Sequence, residues 1–332
     1  MRKAAFLCNN KRNFERVYAM GRREKVASLV DLYPERVTVK NFEQHAENLS
    51  EVEVIFSTWG MPSLKPEQLE KLPNLQAVFY AAGTVKGFAQ PLLEHDITVV
   101  SAWAANAVPV AEWTLSQILL STKGFFRNAR TLNREDHPRW GQCPSGPGNF
   151  AETVAIIAAG QIGRKVIDLL QPFDVDVLVV DPYLPDAQAD AMGVRKVTLE
   201  EAFQEALVVS NHLPNLPSTQ DMIERRHFAS MREGATFINT GRGAQVVEDD
   251  LISVLQQRRD LTALLDVTNP EPPVEGSPLY TMENIILSSH IAGSIGNEVV
   301  RMADYMIEEF QRWDAGQDLR YAVSLEMLAT MA

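Results

Sequence analysis

Three short segments hold residue types that could do chemistry together. FINTGRGAQVVEDDL, residues 237–251, sets Arg242 between two glycines; LLDVTNPEPP carries Glu271; LSSHIAGS carries His290. A guanidinium fork matches the two oxygens of a carboxylate. An imidazole exchanges a proton near neutral pH, and a carboxylate can accept from one of its ring nitrogens. Each residue also has a plainer reading. Arg242 could be a helix-entry residue paired with Glu248 or Asp249, Glu271 a solvated carboxylate among prolines, and His290 a structural histidine. Their common setting gives them weight, because each follows a run of apolar residues that reads as a β-strand. In a doubly wound sheet, ligands sit outside the carboxyl ends of the strands.

The elements that must position such residues are legible as alternating short apolar runs and helical patterns. In the first third, strands are expected at 4–8, 37–39, 52–56, 75–80 and 97–101, with helices over 17–32 and 66–72. A long helix follows from Val110 to about Arg130, then a loop rich in Gly and Pro over 138–149 where no regular element is expected. The alternation restarts with six strands at 154–158, 177–180, 208–213, 236–239, 263–267 and 285–287. Helices fill gaps at 161–170, 199–206 and 249–257. A last helix from Gly296 to about Trp313 would return the chain to the first domain. At 332 residues, two domains are expected.

Within the second alternating region, residues 151–183 read AETVAIIAAGQIGRKVIDLLQPFDVDVLVVDPY. A strand enters a Gly-bearing turn, a helix follows, and a second strand ends in Asp181. Such a turn lets the backbone approach a pyrophosphate, which free N–H groups of the helix start then hold. Asp181 lies 21 positions after Gly160, near the expected separation of about 20 for a carboxylate that accepts from ribose hydroxyls. No Lys or Arg occurs between Asp181 and Arg195, so a 2′-phosphate would meet a carboxylate without a counter-charge, and NAD is expected over NADP. The turn departs from G-x-G-x-x-G in its first position, which is Ala158; a methyl there costs energy if its φ is unfavourable.

Composition narrows the rest. A net charge of −12 argues against a nucleic-acid binder, which needs a basic face. The apolar stretch near the start, Ala4 to Cys8, is too short for a signal-peptide core, and no run approaches membrane-spanning length. Cys8 and Cys143 are the only cysteines, too few for a disulfide framework or a zinc site, so no metal is expected. The chain reads as cytoplasmic.

These segments together resemble the D-isomer-specific 2-hydroxyacid dehydrogenases over nearly the whole chain. The resemblance is carried by YAAGTVKGF, SAWAANAVPVAEWTLSQILL, the dinucleotide motif, NHLPNLPSTQDMI, NTGRGAQVV, LLDVTNPEPP and SSHIAGS, in that order. It implies an α/β fold of two Rossmann-like or flavodoxin-like domains with doubly wound parallel sheets, the cofactor domain inserted into the substrate domain. The boundaries expected are 1–102 with 299–332 for the substrate domain and 103–298 for the NAD domain. The resemblance further implies reversible hydride transfer between NAD and a D-2-hydroxy acid. His290 would be the acid/base, Glu271 would hold its other ring nitrogen, and Arg242 would grip carboxylate and carbonyl oxygen. The backbone of Ala82, Gly83 and Thr84 would receive the substrate carboxylate. Gly160, Gln161, Ile162, Asp181, Leu213, Pro214, Thr240, Asp266 and Gly293 would contact the cofactor. A homodimer through the cofactor domain is implied too.

Family members acting on phosphoglycerate hold the phosphate with Arg in the first domain, whereas no Arg occurs here between Arg36 and Arg127. A non-phosphorylated acid such as glyoxylate, hydroxypyruvate or a bulkier 2-oxo acid is therefore expected; Trp59 and Trp103 could wall its pocket but read more simply as core, and Lys86 could add positive charge or face solvent. A different class of protein, an NAD-sensing scaffold without catalysis, would suit a turn weakened at Ala158; the intact Arg242, Glu271 and His290 weigh against it.

Overall fold

The computed structural model describes residues 1–328. The chain divides into two compact units, Met1–Asn106 with the chain from Ser294 onward, and Ala107–Gly293. The sequence reading places the crossings at 102/103 and 298/299.

The first unit is built on β1 (Lys3–Leu7), β2 (Asp31–Val37), β3 (Val54–Ser57), β4 (Ala77–Tyr80) and β5 (Thr98–Ser101). They run parallel in the order β2-β1-β3-β4-β5, a flavodoxin-like winding. The second unit holds β6 (Phe150–Ile157), β7 (Asp174–Val180), β8 (Arg195–Lys196), β9 (Val208–Asn211), β10 (Thr236–Asn239), β11 (Thr262–Leu265) and β12 (Ile285–Leu287). Their order is β12-β11-β10-β9-β6-β7-β8, all parallel. Counting from β6, this is the 3-2-1-4-5-6 dinucleotide-binding order with β12 added at one edge. A last strand, β13 (Ala322–Val323), pairs antiparallel with β5.

Helices cover both faces of the second sheet, and successive residues of one strand serve opposite layers. Phe237 and Val209 pack with Phe203, Phe228 and Leu255; their neighbours Ile238 and Val208 pack with Val166, Ile167 and Leu170. That two-sided burial is why these strands read as unbroken apolar runs. In the first unit, the Val300–Asp314 helix buries Met302, Ala303, Met306, Ile307 and Phe310, a spacing of three and four that keeps one face inward. Phe310 reaches Phe56 and Phe79, with ring centroids 5.4 and 5.7 Å away.

Several expected elements are corrected. The stretch 17–32 is not one helix: Lys11–Val17 and Arg22–Leu29 are separate, divided where Met20 and Gly21 adopt positive φ. Strand β2 ends where a strand over 37–39 was expected to begin, and it contains Pro34, tolerated because β2 is the sheet edge. The long helix starts earlier, at Trp103, with Pro109 inside it, and ends at Thr122. Gly124, at φ +69 and with no room for a Cβ beside Gly146, breaks it from the Phe125–Leu132 helix. The loop over 138–149 contains one short 3-10 turn, Trp140–Gln142.

Candidate active site

At the carboxyl end of β6, the chain turns sharply into the Gln161–Leu170 helix, with Gly160 as its N-cap. Ala158, where the motif departs from glycine, holds φ +72, a left-handed conformation that L side chains adopt at a cost. Gly163 is irreplaceable for a different reason: a Cβ there would lie 2.0 Å from the Ala158 carbonyl oxygen. Helix and strand therefore approach as closely as backbone permits. The first-turn N–H groups, from Gln161 onward, have no carbonyl within the helix to bond.

Asp181 closes the turn from the neighbouring strand. Its carboxylate accepts from Ala159 N at 2.8 Å through one oxygen and from Tyr183 N at 2.8 Å through the other. Each oxygen keeps a lone pair for a further donor, and the side chain is half-exposed. An open helix start, a glycine at the point of closest approach and a partly satisfied carboxylate together suit a dinucleotide.

Farther along the same sheet edge, β9 leads into Leu213 and Pro214, and β10 into Thr240, Gly241 and Arg242. Thr240 is buried and its hydroxyl meets Nδ1 of His212 at 2.9 Å, while Ser210 Oγ meets Nε2 at 3.0 Å. Burial pushes the His212 imidazole down to about 3, so it is a neutral bridge between two hydroxyls. Both glycines flanking Arg242 sit in crowded places. A Cβ at Gly241 would come within 2.5 Å of Gln245 Oε1, and one at Gly243 within 2.0 Å of the Thr268 carbonyl carbon. The Arg242 guanidinium donates to the Gly241 carbonyl at 2.6 Å and makes no ion pair with Glu248 or Asp249 within 4 Å. Burial lowers its pKa, and the nearby charge of Glu271 partly offsets this.

Glu271 and His290 meet directly: His290 Nδ1 lies 2.7 Å from Glu271 Oε1, both side chains being more than 40% exposed. Two anchors fix them. Glu248 Oε1 accepts from Asn269 N at 2.7 Å, tying down the segment before Glu271. Asp266, at the end of β11 and 2% exposed, holds the other side. Its Oδ1 accepts from Ser288 Oγ and Ile291 N, its Oδ2 from Ala292 N, and its carbonyl from His290 N at 3.0 Å. His290 stands at φ +57, a conformation kept only where its surroundings over-determine it. The sequence reading assigned Asp266 to the cofactor and did not foresee this anchoring. An Asp directly after one apolar run, 22 positions before the Ser-Ser-His segment that follows the next, was the available signal. Gly293 follows this loop and is half-buried.

Ala82, Gly83 and Thr84 follow β4 in the first unit. Ser101 Oγ donates to the carbonyls of Ala82 and Gly83, and Ala82 N donates to the Tyr80 carbonyl at 2.8 Å, which holds the start of this loop in place. Trp59 and Trp103 are half-buried and packed against the first unit's core, Trp103 edge-on to Tyr321; Lys86 is exposed. Among the described residues, no group of three or more His, Cys, Asp or Glu could hold a metal ion, and no helix is long and apolar enough to cross a membrane.

Fold and site define a two-unit α/β protein with a dinucleotide-binding domain. Residues 115–292 match the family model "D-isomer specific 2-hydroxyacid dehydrogenase, NAD binding domain", so the chain belongs to the D-isomer-specific 2-hydroxyacid dehydrogenase family. It is 28% identical to D-3-phosphoglycerate dehydrogenase of Methanocaldococcus jannaschii over 80% of this chain and 50% of that protein. It is 29% identical to (S)-sulfolactate dehydrogenase of Chromohalobacter salexigens over 74% of this chain and 80% of that protein. The chain thus spans about half the length of the phosphoglycerate relative it matches. A phosphoglycerate oxidoreductase from Rhizobium etli has the same fold, with a TM-score of 0.83 at 21% identity, covering 99% of this chain and all of that one. D-mandelate dehydrogenase of Rhodotorula graminis matches at a TM-score of 0.79 and 20% identity, over 98% of both chains.

Proposed function

We propose that the chain is an NAD-dependent oxidoreductase that interconverts a D-2-hydroxy acid and its 2-oxo acid. The observation that carries this reading is the 2.7 Å contact of His290 Nδ1 with Glu271 Oε1, beside a guanidinium within reach of the same carboxylate's charge. With Nδ1 held, Nε2 is the ring nitrogen left to exchange a proton with substrate oxygen. When bound, the nicotinamide supplies or accepts the hydride at the carbon. In reduction, His290 gives its proton to the carbonyl oxygen as the hydride arrives. In oxidation, it takes the hydroxyl proton. Arg242 holds the carboxylate and stabilises negative charge growing on the carbonyl oxygen, and Glu271 steadies the imidazolium while it is charged. The backbone of the Ala82–Thr84 segment would receive the substrate carboxylate. Gly160, Gln161, Ile162, Asp181, Leu213, Pro214, Thr240 and Gly293 would line the dinucleotide.

NAD is preferred over NADP in this reading, because a 2′-phosphate would confront the Asp181 carboxylate. The substrate is non-phosphorylated, because the first unit offers no Arg between Arg36 and Arg127. We also assign it a cytosolic homodimer, consistent with two unpaired cysteines and with Phe125, Trp140 and Phe150 exposed on the second unit. The test is NADH oxidation with glyoxylate, hydroxypyruvate and 3-phosphohydroxypyruvate. The expected result is higher kcat/KM on the unphosphorylated acids; a preference for the phosphorylated one would refute the substrate assignment.

A further inference from the structure

Against the half-buried Arg242 turn lies a closed cluster of three carboxamides, Asn211, Asn239 and Gln245, each no more than 1% exposed. Gln245 Nε2 donates to the carbonyls of Leu213 at 2.7 Å and Pro214 at 2.9 Å, while its Oε1 accepts from Arg242 N at 3.0 Å and Asn211 Nδ2 at 2.7 Å. Two backbone carbonyls on one end and a backbone N–H on the other admit only this orientation of the amide, and all four of its hydrogen-bonding positions are used. Asn211 Nδ2 also donates to Asn239 Oδ1 at 3.0 Å, and Asn211 Oδ1 accepts from Leu213 N at 3.2 Å. Asn239 closes the circuit, accepting from Gly241 N at 3.0 Å and donating to the Arg242 carbonyl at 3.2 Å.

We propose that Gln245 is a positioning residue that locks the Leu213–Pro214 loop and the Arg242 turn into one body. Dinucleotide bound along the loop and a 2-oxo acid bound by the guanidinium then depend on the same amide. This rests on the reading that Leu213–Pro214 contacts the cofactor and Arg242 the substrate. Capping of the Gly243–Gln245 turn through Arg242 N accounts for one of the four Gln245 side-chain bonds and leaves the other three unexplained. A buried apolar residue would fill the space more cheaply than three amides that must all be satisfied, and the Gln245 side chain bonds only to the Leu213–Pro214 loop, the Arg242 turn and Asn211. Gly241 is a glycine because a side chain there would displace Gln245 Oε1 and Asn211 Nδ2, at 2.5 and 2.9 Å from its Cβ position.

Gln245→Met keeps the volume but neither donor; Gln245→Glu keeps the shape and loses the pair of donors when ionised. The full chain and both variants are titrated with NADH by nicotinamide fluorescence, and glyoxylate KM is measured at saturating NADH. In Gln245→Met, NADH affinity should weaken by about fivefold and glyoxylate KM rise by about tenfold, with a smaller change in kcat. In Gln245→Glu, NADH affinity should recover toward the wild-type value as pH falls from about 8 to about 6, because a protonated carboxyl again donates to Leu213 or Pro214; Gln245→Met, whose new side chain carries no charge at any pH, should show no such recovery. NADH affinity within about twofold of wild type in folded Gln245→Met would overturn the proposal. So would a pH-independent Gln245→Glu. Absence of turnover in the wild-type chain would instead count against the catalytic reading, and the NADH titrations would still decide the role of Gln245.

Discussion

His290 Nδ1 and Glu271 Oε1 lie 2.7 Å apart although the two residues stand on loops after different strands. Each loop is held from behind, Glu271's through Glu248 and His290's through Asp266. The pair is therefore preorganised in the chain alone. Replacing Glu271 with Gln keeps the shape but removes the charge that the proposed mechanism sets beside the imidazole. In steady-state assays, kcat should fall on the order of 10²-fold with NADH affinity unchanged; an unaltered kcat would dismiss the pair as incidental.

Asp181 holds the turn through Ala159 N and Tyr183 N and is proposed to accept from the ribose, and Asp181→Ala should expose both. Loss of the ribose acceptor should narrow the NADH-over-NADPH ratio of kcat/KM by about tenfold or more. Loss of the acceptor for Ala159 N, at 2.8 Å, should also lower stability by about 1–2 kcal/mol, read by denaturant titration. Unchanged cofactor selectivity would show that Asp181 serves the turn and not the ribose.

Ala158 occupies φ +72, so Ala158→Gly relieves a conformational cost of about 1–2 kcal/mol. The freer unfolded chain takes back about 0.4–1 kcal/mol. Melting temperature should stay level or rise slightly, and NADH affinity should be equal or better. A large loss of either would mean that the methyl makes a contact worth more than the strain.

His212 gives a pH test of stability. Its imidazole is pushed down to about 3 by burial, against 6.5 for an ordinary histidine. Above 6.5, folded and unfolded chains are both neutral at this site and the linkage is silent. As pH falls below 6.5 the unfolded chain takes the proton and the folded one does not, so stability drops by about 1.4 kcal/mol per pH unit until about pH 3. Comparing wild type with His212→Asn between pH 6.5 and about 4.5 isolates this from the carboxylates. The variant should show a shallower slope by about one proton; parallel slopes would place His212 in a wetter setting.

Much of the second unit was legible because two-sided burial writes strands as apolar runs. The expected 236–239, 285–287 and 161–170 are Thr236–Asn239, Ile285–Leu287 and Gln161–Leu170 in the structure. The first unit hid more. Strand β2, DLYPERV, is an edge strand with exposed polar residues and a proline, so it carries no apolar signature. Met20, an ordinary residue at φ 51, gave no sign that a helix would break there. The long helix was expected from Val110, whereas it begins at Trp103 and carries Pro109 in its interior. At the site, the sequence singled out Arg242, Glu271 and His290, and the structure brings His290 against Glu271, but the supports did not announce themselves. Asp266 and Gln245 act through backbone groups of loops distant in sequence, and such partnerships follow from tertiary packing rather than from any local pattern.

The most direct measurement is NADH oxidation by a panel of 2-oxo acids, made on the wild-type chain and on His290→Ala, with NADH binding titrated in both. The expected result is turnover of at least one unphosphorylated acid by wild type. His290→Ala should lose it by about 10²-fold or more while binding NADH as before. No turnover of any acid by a wild-type chain that binds NADH would contradict the enzymatic reading, and full activity in His290→Ala would contradict the role of the His290–Glu271 pair.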